Sequence, residues 1–270
     1  MGAQTKRKND GGDSKRSKDR QKKIKYWKTE SSTIHPGVSG IFVTCNRRFE
    51  RKCRSEIMEI FNEVAESEYD LSKFDADSES DPEDEEDVDI EASIAKELDS
   101  IKKKKERKLF KPINIDCECV LFIRTKKPID PVHIVHKVCE DAMNSGIKNT
   151  RHTLRLSPVT FTASANEEEF KKLVSKVLEP HFHQEGQEPL KFAIRPTTRN
   201  HTTFDRDYLI RTIAEAVGRP HKVDLTNYDR LILVECFKNI VGISVVEDFE
   251  KLKRFNLQQI FESTVTSKEE

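Results

Sequence analysis

The chain has 270 residues, with 48 Lys and Arg against 48 Asp and Glu, so its formal net charge is zero. Charged residues make up 36% of it, above the roughly 25% of an average soluble domain, while hydrophobic residues reach only 35%. This excludes a membrane-spanning helix, because no 18-residue apolar run exists, and argues against one fully globular domain, because part of the chain is too polar to bury.

Residues 1–36 read as a basic disordered tail: within 1–30 there are 11 Lys/Arg and 4 Asp/Glu. Its clusters (Lys6, Arg7, Lys8, then Lys15 to Lys23) suit a nuclear address or a nucleic-acid-binding arm, and no secretory leader is expected. From residue 37 the character changes. Gly40, Ile41, Phe42, Val43, Thr44 and Cys45 predict a buried strand, and Ile57, Ile60, Phe61 and Val64 recur at helical spacing.

Residues 66–111 are expected to be a charged disordered insertion, with 16 acids and two lysines over 66–99 and 7 basic residues against one acid over 102–111. Subtracting the −14 of the acidic block leaves +14 on the rest of the chain. Ser78 and Ser80 each have an acid three residues on, a pattern that suits an acidophilic kinase. Cys119 to Ile123 predict a second strand. Asp130 and Pro131 predict a capped helix with the stripe Ile134, Val135, Val138, Cys139, Ala142 and Met143, ended by Gly146. Residues 153–161 alternate like a strand with a bend or bulge at Pro158. The first domain is placed at 37–158.

A second domain is placed at 159–250. Asn166 caps a helix buried through Phe170, Leu173, Val174, Val177 and Leu178 and stopped by Pro180. Residues 191–195 predict a strand, and Asp205 caps a helix through Leu209, Ile210, Ile213 and Val217, closed by Gly218 and Pro220. Three strands follow at 222–225, 231–236 and 240–246, and 251–270 is expected to be a tail.

Six cysteines (Cys45, Cys53, Cys117, Cys119, Cys139, Cys236) read as buried or free thiols of a reducing compartment. No glycine-rich phosphate loop is present. Cys117 and Cys119 lack a second pair at zinc spacing and read as strand packing; His181 and His183 read as a surface loop after Pro180. His133, His136, His152 and His221 have no nucleophile constellation. No metal site and no catalytic residue is predicted. What stands out is residues 195–203, which gather Arg195, Arg199, Asn200, His201 and four threonines in an expected exposed loop. Guanidinium groups bind phosphate bidentately, and Asn and Thr can contact phosphate or a 2′-hydroxyl.

Residues 191–201, the helix ending at Gly218, Lys222, Val223, Asp224, Leu225 and 231–235 resemble the THUMP domain, an RNA-binding module of tRNA modification enzymes. Upstream, Gly37 to Ile41, Thr44, Cys45, Glu50, 155–159 and 179–182 are similar to stand-alone eukaryotic members of that family that act as tRNA adaptors for a cytidine acetyltransferase. The resemblance covers about residues 37–250. It implies an α/β (α+β) fold, a ferredoxin-like N-terminal domain beside a THUMP domain. It implies as partners the acceptor arm and 3′ end of serine and leucine tRNAs and a separate RNA cytidine acetyltransferase, which uses acetyl-CoA and ATP to form 4-acetylcytidine in the D-arm. It implies a chain without its own cofactor, in the nucleus and nucleolus and also the cytoplasm. RNA contacts are assigned to Arg195, Arg199, Asn200 and His201, with Arg219 and Lys222 flanking and Arg151 and Arg155 at the domain junction. Asp224 and Gly218 are read as structural. A self-contained tRNA-modifying enzyme and an acidic interaction protein of ribosome biogenesis stay open as alternatives. So does an acidic block that folds back on the basic segments and competes with RNA.

Overall fold

The computed structural model describes residues 33–70, 109–113 and 115–269. The basic clusters of the tail, Ser78, Ser80 and most of the acidic block lie outside the described residues.

The first unit runs β1 (Ser39–Cys45), α1 (Glu50–Glu68), β2 (Phe110–Ile113), β3 (Val120–Thr125), α2 (Pro131–Ser145), β4 (Thr153–Val159). Its sheet has the order β2-β3-β1-β4, and every adjacent pair is antiparallel. That β-α-β-β-α-β path with the first strand inserted beside the last is the ferredoxin-like topology. Alternation along β1 sends Ile41, Val43 and Cys45 to the helix-covered face and Phe42 to the other. Gly40 is dictated by packing: a Cβ there would stand 2.5 Å from the Phe122 ring. Asp130 caps α2, its Oδ1 accepting from the Val132 N–H at 2.9 Å with Pro131 in the first turn, and Gly146 closes the helix at φ 62°.

Both edges of the expected insertion are narrower than the charge pattern suggests. α1 continues to Glu68, and the Tyr69 hydroxyl accepts from the Asp130 N–H at 3.1 Å. β2, unread in the sequence, begins at Phe110, whose ring packs on Phe61 at 5.4 Å. Pro158 makes neither a bend nor a bulge, for the pairing with β1 runs in register from Arg155 to Val159. β4 is an edge strand, so the missing N–H is tolerated there, and the register shift falls instead between Thr44 and Cys45. The alternation over 153–161 is two strands, because Phe161 already belongs to the second sheet. Cys117 and Cys119 sit in a turn, Cys119 at φ 62°, not on a strand.

The second unit runs β5 (Phe161–Ser164), α3 (Glu167–Phe182), β6 (Lys191–Arg199), α4 (Arg206–Val217), β7 (Lys222–Val223), β8 (Arg230–Phe237), β9 (Ile240–Val246). The sheet order is β5-β9-β8-β6-β7, with β6 parallel to both β7 and β8. Asn166 and Asp205 cap α3 and α4 through the N–H groups of Glu169 (2.8 Å) and Tyr208 (2.6 Å). Pro180 does not stop α3. It sits in the last turn, and the helix carries on to Phe182, which is buried against Phe192 at 5.8 Å.

α3 and α4 cover one face of this sheet, burying Ile232, Val234, Cys236, Val241, Ile243 and Val245. The opposite face packs on the first unit. Ala193, Leu231, Leu233 and Val246 join the core of α1 and α2, and Phe237 and Ile240 join Phe42 and Phe122. The Ser244 hydroxyl donates to the Pro158 carbonyl at 2.7 Å. The two domains therefore share one buried seam.

The described residues 251–269 of the expected tail are ordered into the fold. A turn at Lys253–Phe255 leads into α5 (Leu257–Glu269), and Leu252, Phe255, Leu257 and Ile260 are buried in the N-terminal core. All six cysteines are free, as their apolar surroundings suggest, and burial pushes the Cys45 and Cys236 thiols up to about 12.

Candidate nucleic-acid interface

The cluster read as an exposed loop is mostly strand. β6 runs through Arg199, because its carbonyl and amide groups pair with β8 as far as Phe237. Alternation along β6 then aims Arg195 and Arg199 at the seam, on the same face as Ala193. Arg199 is only 19% exposed. It is ion-paired with Glu235 of β8, which is 4% exposed, and its guanidinium lies 5.7 Å from the Phe42 ring centroid. Burial pushes the Glu235 carboxyl up, against the opposing pull of Arg199, a hydrogen bond from Ser157 and the charge of Arg155.

Arg195 is also committed. Its Nη2 lies 3.1 Å from Glu250 Oε1, and the guanidinium covers Phe249 at 5.0 Å. Arg254 holds the other oxygen of the same carboxylate at 2.8 Å. Burial alone would raise the Glu250 carboxyl, but the hydrogen bonds and charges of Arg254 and Arg195 carry it below its ordinary value. Arg155, on β4, also faces this seam, with its Nε buried and without a hydrogen-bond partner.

Asn200 and His201 follow the strand. Asn200 is exposed in the left-handed region at φ 51°. His201 staples its own turn: Nδ1 lies 2.6 Å from the Lys238 carbonyl and Nε2 accepts from the Phe204 N–H at 3.1 Å. His221 does the same elsewhere, Nδ1 accepting from the Leu190 N–H and Nε2 bonding the Phe182 carbonyl. Burial lowers His181, in the last turn of α3 rather than a loop.

The flanking cations are not flanking. Lys222 pairs in register with Lys191, at the opposite end of β6 from Arg199. The eight residue steps between Lys191 and Arg199 span about 26 Å of extended chain. Arg219 and Lys222 are exposed and have no ion-pair partner among the described residues, and the same holds for Arg151 on the N-terminal domain. Asp224 is structural, as expected: its Oδ1 accepts from Thr226 and Asn227 N–H groups at 3.0 and 2.8 Å, and Lys191 Nζ lies 3.2 Å from Oδ2. Gly218 takes φ 65° at the end of α4.

Sequence reasoning missed Glu235 and Glu250 as the partners that absorb Arg199 and Arg195. The signal was present for the first. A carboxylate in the middle of the apolar run Leu231 to Phe237 must be buried, and a buried carboxylate demands a cation. Among the described residues no group of His, Cys, Asp and Glu is arranged to hold a metal ion.

The THUMP domain model matches residues 164–246, which take in α3, α4 and β6 to β9 and only the last residue of β5. An uncharacterized protein of Schizosaccharomyces pombe is 39% identical over 90% of this chain and 82% of its own length. The tRNA acetyltransferase TAN1 of Saccharomyces cerevisiae is 36% identical over 88% of this chain and 90% of its own. THUMP domain-containing protein 1 of Homo sapiens is 34% identical over 85% of this chain and 66% of its own. Likeness at this level, running through both domains of the seam-joined body, shows that the chain belongs to the THUMP-domain family these relatives share.

Proposed function

We propose that the chain is a tRNA-binding adaptor. It holds the acceptor arm and 3′ end of serine and leucine tRNAs for a separate RNA cytidine acetyltransferase, which forms 4-acetylcytidine in the D-arm with its own acetyl-CoA and ATP. The chain contributes position rather than chemistry. Tethering the enzyme to a bound tRNA raises the effective concentration of the target base. Phosphate contacts supply register without reading sequence. In this reading the chain works in the nucleus, with the basic clusters of residues 6–23 as its address.

The observation that carries the proposal is the location of unpaired positive charge. Arg219 and Lys222 on the THUMP domain and Arg151 on the N-terminal domain are exposed, and their side chains make no ion pair with a carboxylate among the described residues. The seam fixes the two domains to each other, so these charges form one rigid pattern on which a folded RNA can register. The name of the Saccharomyces cerevisiae relative ties that protein to tRNA acetylation, and 36% identity across both domains supports extending the process to this chain.

The test is reconstitution. Purified chain should bind a serine tRNA transcript in a filter assay. Incubated with that tRNA, acetyl-CoA and ATP, it should yield 4-acetylcytidine only when the acetyltransferase is added. Product from the chain alone would make it an enzyme in its own right, as the relative's name taken literally would have it. Absence of tRNA binding would remove the adaptor reading.

A further inference from the structure

We propose that the turn between β1 and α1, residues 46–52, together with Arg151 and His152, is a second RNA-contact surface that takes phosphates beside a stacked, unpaired nucleotide. It rests on the reading that the chain binds tRNA, and it adds a site on the N-terminal domain, at the Cys45 end of β1.

Three features of this surface cost the fold something and meet at one place. Five cations, Arg47, Arg48, Arg51, Lys52 and Arg54, stand against one acid, Glu50, over residues 47–54, with Glu118 on Arg47 and Glu56 holding the backbone of the 151–153 turn, whereas the far half of α1 carries Glu59, Glu63, Glu66 and Glu68. The order is reversed relative to the helix dipole, which favours acids in the first turn and bases in the last. Arg48 holds φ 69°, a left-handed conformation that glycine takes without strain. Phe49 is 37% exposed at the start of α1 and makes no side-chain cap. Departures from local preference that converge on one exposed surface mark a functional site.

The surface is also preorganised. The Phe49 ring lies flat on the His152 imidazole, with centroids 4.3 Å apart and planes 6° from parallel, and Lys52 Nζ lies 5.3 Å from the Phe49 centroid. The Asn46 N–H donates to the His152 carbonyl at 3.1 Å, and the Phe49 N–H donates to the Asn46 carbonyl at 3.1 Å. Glu50 Oε1 accepts from the Cys119 N–H at 3.1 Å. Arg47 is paired with Glu118 at 3.2 Å, but both side chains are at least 70% exposed, and such a pair yields readily to a phosphate.

An exposed aromatic ring stacked on an imidazole and bordered by guanidinium and ammonium groups suits RNA better than an acidic peptide. Cations alone would serve a peptide, whereas a flat ring pair offers a platform for a base. The nucleotide would extend the Phe49–His152 stack, with Arg48, Lys52 and Arg151 on its phosphates.

The test uses the full chain, a fluorescently labelled serine tRNA transcript titrated at several salt concentrations, thermal melts, and two variants, Arg48→Gly and Phe49→Leu. Arg48→Gly relieves the left-handed strain, so its melting temperature should hold or rise while tRNA affinity falls about three- to tenfold and the salt slope flattens. Phe49→Leu should lower affinity about fivefold with the salt slope unchanged. If the wild type binds tRNA and both variants bind as tightly, this site is excluded and the adaptor reading stands. If the variants keep tRNA affinity but lose acetylation with the partner enzyme present, the surface docks protein, and the RNA assignment is overturned. A wild type that does not bind tRNA removes both readings.

Discussion

Arg199 on β6 and Glu235 on β8 form an ion pair sealed inside the seam, at 19% and 4% exposure. A buried pair of this kind gives little net stability when intact, but removing one member strands the other charge at a cost of about 3–5 kcal/mol. Arg199→Ala and Glu235→Ala should therefore each lower stability by that amount in chemical denaturation. A joint replacement, Arg199→Met with Glu235→Leu, should recover most of it. Wild-type stability in Arg199→Ala, with reduced tRNA binding, would return this arginine to the RNA surface where its place in the sequence cluster suggested it.

Gly242 faces Val159 across the same seam. A Cβ on Gly242 would stand 2.5 Å from Val159 Cγ1 and 3.2 Å from Cγ2. Both partners lie on strands, so neither backbone can give way cheaply, and overpacking of this kind costs about 1–3 kcal/mol. Gly242→Ala should destabilise by about that much, and Val159→Ala should offset part of the loss when added to it. Additive effects in the double-mutant cycle would mean that the two residues do not share a contact.

Ile260 on α5 is fully buried in the N-terminal core. Ile260→Ala should cost about 2–5 kcal/mol, as for other large core truncations. A change within about 0.5 kcal/mol, typical of exposed positions, would restore the reading of 251–270 as a tail.

The sequence of that segment hides its helix because of its backbone. Leu252, Phe255, Leu257 and Ile260 carry the apolar pattern, but Lys253, Arg254 and Phe255 all hold φ between 50 and 60°. A left-handed turn of non-glycine residues breaks the helical phase, and nothing in residue type announces it. Elements with capped, periodic sequences were legible: α2, α3 and α4 begin at Asp130, Asn166 and Asp205 as their side chains dictate. β2 was not, because its four residues Phe110–Ile113 follow a lysine-rich run and contain Pro112. The candidate site was legible as residue types and not as directions. Arg195 and Arg199 are four apart, so on a strand they share a face, and in this fold that face is the seam.

Arg219 and Lys222 make the complementary RNA prediction, since Lys222 lies about 26 Å of strand away from the Arg199 end and Arg219 is three residues before it in the chain. Reversing both, Arg219→Glu with Lys222→Glu, should weaken tRNA binding at least tenfold at 100 mM salt. The slope of log affinity against log salt should become shallower by roughly 0.7–0.9 per lost phosphate contact. The melting temperature should be unchanged, because both side chains are exposed. Filter binding with an unchanged slope would show that this edge does not touch phosphate.

Glu56 gives the pH prediction. From α1 its carboxylate accepts the backbone N–H groups of Arg151, His152 (3.1 Å) and Thr153 (3.0 Å) and the Thr153 hydroxyl (2.7 Å). Burial alone would raise this carboxyl, but the converging hydrogen bonds from Arg151, Thr153 and His152 hold it below its ordinary value of 4.5. With the folded value below the unfolded one, the unfolded chain binds more protons in the window between them. The stabilisation is therefore fully present above about pH 4.5 and lost as pH falls through the folded value. Glu56→Gln removes the titrating group and weakens the acceptor. At pH 7 the variant should be less stable by about 1.5–2 kcal/mol, the lower part of the range for hydrogen bonds to a charged group, because solvent still reaches the carboxylate. As pH falls below about 4.5 the difference should narrow. The other carboxylates with lowered values, Glu50, Glu68, Glu167, Asp224 and Glu250, are common to both proteins and cancel in the comparison. Thermal melts of the pair from pH 7 to pH 3 make the measurement, and a difference that stays constant across that range would show that the charge of Glu56 is not what ties the 151–153 turn to α1.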